Sequence, residues 1–104
     1  MKIEFLYFAG CPHMQPAKEL LNNVLRELGV KADITDVHIA DNADAIAKRF
    51  LGSPSIRING QDLELAENDQ TQYSMRCRIY KTEKGNSGIP PKELLIKRMR
   101  QAIA

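Results

Sequence analysis

The sequence predicts an α/β domain in the order β-α-β-α-β-β-α, a four-stranded mixed sheet flanked by helices with an insertion before the last helix. Three observations predict it. A short apolar run near the N-terminus is followed by a segment with helical periodicity, Asn59-Gly60 sits between two alternating runs, and a second amphipathic segment closes the chain. The 104 residues are read as one domain, 1–104, with 66–90 as an extended insertion. Chains below roughly 40 residues are the ones that usually need disulfides or metals to fold, and here 43% of a longer chain is apolar.

Residues 2–8, Lys-Ile-Glu-Phe-Leu-Tyr-Phe, are rich in β-formers and apolar on both faces after Glu4, as expected of a strand inside a sheet. Between Pro16 and Gly29, the residues Ala17, Leu20, Leu21, Val24, Leu25 and Leu28 recur at the spacing of one helical face. Pro16 suits the first turn of that helix and Gly29 the left-handed residue that closes it. Residues 31–39 alternate through Ala32 and Ile34 and then shift phase to Val37 and Ile39, which predicts a second strand. A β-α-β unit joins parallel neighbours by a right-handed crossover, so the end of the first strand and the start of the first helix share one edge of the sheet.

Asp41 or Asn42 caps a second helix, with Ala43, Ile46, Ala47, Phe50 and Leu51 on its buried face and Gly52 after its end. Ser53 to Leu65 reads as a hairpin turning at Asn59-Gly60, with Ile56 and Leu63 opposite each other on one face. Residues 66–90 are polar and form a connection with one ordered piece at Tyr73 to Tyr80, and connections of this length are often functional. A last helix begins near Pro91 and turns Leu95, Ile96, Met99 and Ile103 inward.

The formal net charge is +2. Residues 1–70 carry 7 basic and 11 acidic side chains, and residues 71–104 carry 8 basic and 2 acidic. A basic face of that size suits nucleic acid or an anionic partner, and a solvated helix surface gives the same count. With no aromatic residues interleaved among the charges, no nucleic-acid partner is expected. No apolar run approaches the roughly 18 residues of a membrane span. Glu4 interrupts the apolar segment Ile3 to Ala9 and no A-x-A-like cleavage site follows it, so the expected address is cytoplasmic, with no membrane partner. Nothing in the sequence specifies an oligomeric state.

Gly10-Cys11-Pro12-His13-Met14 lies between the first strand and the first helix, where backbone N–H groups and the helix dipole favour an anion. A thiolate is such an anion, which makes Cys11 a candidate nucleophile, with His13 adding charge when protonated. The competing reading is a small buried residue. Two cysteines do not make a disulfide scaffold, and no set of four ligands has zinc spacing, so no metal is assigned. Cys11, His13 and Cys77 together offer a soft ion its preferred donors.

The element order, Cys11-Pro12 after the first strand and Ser53-Pro54 immediately before the third resemble the thioredoxin fold, over residues 1–65 and the last helix. Gly10-Cys11-Pro12 and the run from Gly52 to Gly60 are similar to stretches of small bacterial thioredoxin-like proteins, some of them found among mercury-resistance genes or labelled alkylmercury lyase-like. The resemblance implies that Pro54 is cis and lies against the active-site Cys11, with Pro12, His13, Ser53 and Pro54 at the substrate-binding position. The family's dithiol motif is C-x-x-C, whereas the fourth position here is Met14, so no disulfide forms within the motif. Met14 is read as apolar packing at the start of the helix. The Cys-Pro start also resembles glutaredoxins, some of which work with one motif cysteine.

A fourth strand parallel to the first starts the 66–90 connection on the edge that carries Cys11, which makes Cys77 a candidate resolving thiol. The other reading of Cys77 is a buried residue alternating inward with Met75 and Ile79. Its neighbours Arg76 and Arg78 either turn toward the cleft, where they would lower the thiol pKa or bind an anion such as a glutathione carboxylate, or, as neighbours of an inward residue, face solvent. His38, beside Asp36, is expected exposed at a strand end. The expected activity is thiol-disulfide exchange by Cys11 on a protein or small-molecule disulfide, resolved by Cys77 or by glutathione as co-substrate, with no cofactor. The alternative is a catalytically inactive module that binds a peptide or a soft metal ion.

Overall fold

The structure, a computed structural model, describes residues 1–64 and 73–103. Its elements are β1 (Lys2–Tyr7), α1 (Met14–Leu28), β2 (Asp33–His38), α2 (Asn42–Ala47), β3 (Ser55–Ile58), β4 (Gln61–Asp62), β5 (Tyr80–Thr82), β6 (Gly85–Ser87) and α3 (Lys92–Ile103). The first four strands form one mixed sheet in the order β2-β1-β3-β4, and β5 and β6 form a separate antiparallel pair. β1 runs parallel to β2 and antiparallel to β3, and β3 runs antiparallel to β4, so β4 is parallel to β1.

The central place of β1 explains its two apolar faces. Ile3 and Phe5 join Ala17, Leu21, Val24 and Leu25 of α1, Ile56, Ile58, Leu63, Tyr80, and Leu95 and Met99 of α3 in the larger core cluster. Leu6 points the other way, into a smaller cluster with Ile39, Ala45 and Phe50 beside α2. Alternate residues of a strand face opposite sides of a sheet, so this one strand anchors helices on both faces.

The hairpin follows its turn chemistry. Asn59 (φ 51) and Gly60 (φ 86) both take positive φ, the conformation a two-residue hairpin turn requires. Asn59 also ties the turn to β1: its amide donates to the Lys2 carbonyl at 2.7 Å and its side-chain oxygen accepts from the Lys2 amide at 3.0 Å. Leu63 N–H donates to Ile56 O at 3.2 Å, which sets those two buried residues opposite each other as expected. Gly29 closes α1 in the left-handed conformation, and Pro16 lies in its first turn.

Three expectations need correction. The second helix stops at Ala47: Arg49 (φ 55) turns the chain, Phe50 N–H returns to Ala45 O at 2.8 Å, and the Arg57 guanidinium donates to the carbonyls of Lys48 at 2.6 Å and Arg49 at 2.7 Å. Ala45 is therefore the helix residue that is buried, Phe50 and Leu51 are buried beyond the helix, and Ala43, Ile46 and Ala47 are exposed. In the last helix Leu95 and Met99 are buried and Ile96 is half-buried, but Ile103 is exposed in the terminal turn. The connection 66–90 is not merely extended: residues 80–87 form the β5–β6 hairpin. Residue 65, the end of the expected hairpin, and residues 66–72 of the connection lie outside the described residues. Among the described residues, no helix is long and apolar enough to cross a membrane.

The start of α2 is held by reciprocal carboxylates. Asp41 accepts from Asp44 N–H at 2.8 Å, and Asp44 accepts from Ala40 N–H at 3.0 Å while pairing with Lys48. The hydrogen bond from the Ala40 amide, then that from Lys48, holds the Asp44 carboxyl below its ordinary range. Asp41→Ala removes the cap and is expected to cost about 1 kcal/mol, seen in urea as a lower midpoint with an unchanged slope.

Candidate functional site around Cys11 and the Ser53–Pro54 loop

The site forms where β1 ends. Past Tyr7, the Phe8 amide donates to Ser53 Oγ at 3.4 Å, and the chain turns through Gly10 (φ 87) so that Cys11 N–H reaches back to Phe8 O at 3.4 Å. Met14 N–H then donates to Cys11 O at 3.3 Å and α1 begins. Cys11 is therefore held in a turn directly before a helix N-terminus. It is 9% exposed and belongs to neither core cluster. Pro12 is exposed, His13 occupies the cap position without a side-chain cap bond, and Met14 packs against the larger core, as its reading as a packing residue requires.

Across from this turn lies Gly52-Ser53-Pro54. The Ser53–Pro54 peptide is cis, the isomer the resemblance implies, and both residues are buried. Both backbone hydrogen-bonding groups of Ser53 are taken by the inserted segment: Ser53 N–H donates to Arg76 O at 2.8 Å, and Arg78 N–H donates to Ser53 O at 2.9 Å. Cys77 is thereby paired with Ser53 in a parallel β-bridge. Both thiols are free, Cys11 buried and Cys77 exposed.

The inserted segment is anchored by a buried guanidinium. Arg78, 4% exposed, forms a two-pronged ion pair with Asp62, itself 2% exposed, and reaches Glu64 at 3.0 Å and Ser55 Oγ at 3.1 Å. Its guanidinium lies 4.6 Å from the centre of the Tyr80 ring, and Tyr80 donates its hydroxyl proton to Pro54 O at 2.7 Å. Burial works against the Arg78 charge, but the hydrogen bonds and attraction from Asp62, with Tyr80 and Glu64 adding to them, hold the guanidinium above its ordinary value. Burial raises the Tyr80 hydroxyl well above its usual range, so it stays a donor.

Two glycines permit close approach. A Cβ on Gly52 would stand 2.8 Å from Arg78 Cα, and one on Gly88 would stand 2.3 Å from His13 Cδ2. The insertion therefore touches the site twice, at the Ser53 loop and at the imidazole of the cysteine motif.

This arrangement corrects the buried reading of Cys77. The alternation runs in the opposite phase, with Met75, Cys77 and Ile79 exposed and Arg78 and Tyr80 inward. Arg78 does not face solvent because an ion pair and an aromatic face receive it, whereas Arg76 is exposed. Asp62 and Tyr80 are not candidate residues in the sequence, and Arg78 is one only as a charge beside Cys77. The shared parity of Arg78 and Tyr80 was available as a signal, but the partner that makes an inward arginine affordable is set by the fold. His38 is exposed at the end of β2, its ring 5.6 Å from that of Tyr7. Among the described residues, no group of three or more His, Cys, Asp and Glu is arranged to hold a metal ion.

Removing one partner of a buried ion pair leaves an uncompensated charge, so Arg78→Met is expected to destabilise the protein by about 3–5 kcal/mol. Combining it with Asp62→Leu is expected to restore most of the loss. Urea unfolding of the two variants checks both, and equal losses in the single and double variants would contradict the assignment.

The cysteine turn and the anchored segment both fall within a recognised sequence family. Searches against curated proteins and against solved structures return no match. Residues 11–99, from Cys11 to Met99, match the family described as a domain of unknown function (DUF2703). The chain belongs to the DUF2703 family.

Proposed function

We propose that the chain is a thioredoxin-like thiol-disulfide oxidoreductase in which Cys11 is the nucleophile and Cys77 or glutathione resolves the mixed disulfide. One observation carries the reading: two free thiols stand on adjoining loops at the same end of β1. Cys11 is tied to Phe8, Phe8 to Ser53, and Ser53 to the backbone on either side of Cys77. The strand order and directions, with the cysteine turn between the first strand and the first helix, also support it.

The chemistry balances as two exchanges. The Cys11 thiolate forms a bond to one sulfur of a disulfide, and the other sulfur leaves as a thiolate that takes up a proton. The Cys77 thiolate then attacks the Cys11 sulfur and expels the second half of the substrate as a thiol. Two electrons pass to the substrate and an intramolecular disulfide remains. Two molecules of a thiol such as glutathione return those electrons and leave as their own disulfide. With glutathione as the resolving thiol, the second attack comes from solution and Cys77 is bypassed.

A disulfide requires Cα atoms within about 7 Å, so resolution by Cys77 requires the two loops to bring their cysteines to that separation. Cys11→Ser is expected to abolish exchange with a small disulfide, and retained exchange would overturn the proposal. Cys77→Ser is expected to keep the first step and to accumulate the Cys11 mixed disulfide, seen by mass spectrometry as an adduct on the Cys11 peptide. Mild oxidation of the unmodified chain distinguishes the resolving thiol: a linked Cys11–Cys77 peptide pair identifies Cys77, and a Cys11–glutathione adduct without it identifies glutathione.

A further inference from the structure

We infer that the site serves compact, low-molecular-mass disulfides and excludes extended polypeptides, because the chain's own residues 76–78 occupy the backbone edge beside Cys11. The inference rests on Cys11 being the nucleophile and adds the substrate class.

An extended peptide docks on a protein edge by pairing its main chain with free N–H and C=O groups. Next to the Cys11 turn lies the backbone edge of Ser53, whose side chain receives the Phe8 amide. Ser53 has no backbone group left to offer: its N–H is bound to Arg76 O and its C=O to Arg78 N–H. The occupying segment is fastened at both ends of its contact with the site. Arg78 is buried on Asp62, Glu64 and Ser55. Further along the chain, Gly88 lies against the His13 ring at a distance that admits no side chain.

The Gly52 approach closes the remaining gap on the Ser53 side, because a Cβ there would collide with the Arg78 backbone. A polypeptide disulfide pairs its main chain with Ser53 beside Cys11 only after residues 76–78 leave Ser53 and the Arg78 guanidinium leaves Asp62. A compact disulfide needs no main-chain pairing and meets none of this cost. Binding that requires a minor open state is weakened by the fraction of molecules in that state, so an edge open less than about a tenth of the time slows a peptide at least tenfold.

The test measures the rate at which Cys11 forms a mixed disulfide with bis(2-hydroxyethyl) disulfide. It compares this with peptides of one, three and ten residues, each carrying one central cysteine as its mixed disulfide with 2-mercaptoethanol. Each rate is divided by that of the same probe with free 2-mercaptoethanol, which removes differences in intrinsic reactivity. The expected result is a normalised rate that falls at least tenfold between the one-residue and ten-residue probes, with the gap narrowing in Asp62→Asn. A ten-residue probe that reacts as fast as the one-residue probe overturns the inference and leaves Cys11 as nucleophile. Failure of every probe to modify Cys11 overturns the underlying function instead. If Asp62→Asn does not fold, the length series on the unmodified chain decides the matter, and a folded Asp62→Asn with an unchanged gap also counts against the inference.

Discussion

The Arg78–Asp62 ion pair is the constraint on which the rest of the site depends. Taking two charges out of water costs several kcal/mol per ion, and only good geometry and further hydrogen bonds offset it. Here the guanidinium meets a carboxylate with two prongs, a second carboxylate, a serine hydroxyl and an aromatic face. That set exists only where β4, the Ser53–Pro54 loop and the inserted segment converge. The pair therefore specifies one placement of residues 76–78, beyond any contribution to stability. Moving Arg78 by one residue along the chain would strand the charge and unpair Ser53.

From this anchor the arrangement of the thiols follows. Pairing with Ser53 fixes the backbone around Cys77, and the bond from Phe8 to Ser53 Oγ links that loop to the end of β1. The sheet core does the complementary work. Phe5 and Leu6 bury opposite faces of β1, so the strand end that launches the Cys11 turn is held from both sides. The buried Tyr80 ring adds a second tie, with its hydroxyl on Pro54 O. Reactivity of a cysteine depends on its surroundings, and Cys11 stands at a helix start, tied through Phe8 and Ser53 to the arginine-anchored segment.

Much of the fold was legible because its signals are local. The Ala17–Leu28 periodicity, the Asn59-Gly60 turn and the apolar run of β1 each report a backbone geometry that neighbouring residues enforce. The end of α2 was not legible: periodicity runs on to Phe50, and only the Arg57 guanidinium on the carbonyls of Lys48 and Arg49 shows why the helix stops earlier. The place of Cys11 between strand and helix was legible from those local signals. Over Tyr73–Tyr80 hydrophobic alternation favours burying Met75 and Ile79, the phase opposite to the one observed. Burial of Arg78 reverses that choice, and its partner Asp62 is sixteen residues away in sequence.

The most direct measurement of the central claim is native-state amide hydrogen exchange, resolved by residue, at Ser53 and Arg78. Their amides carry the two bonds that close the edge. Both are predicted to exchange as slowly as the interior amides of β3, because opening them requires breaking the buried ion pair. Exchange of Ser53 and Arg78 at the rate of an exposed position such as Lys31, in a chain whose β1 and β3 amides stay protected, would contradict the account.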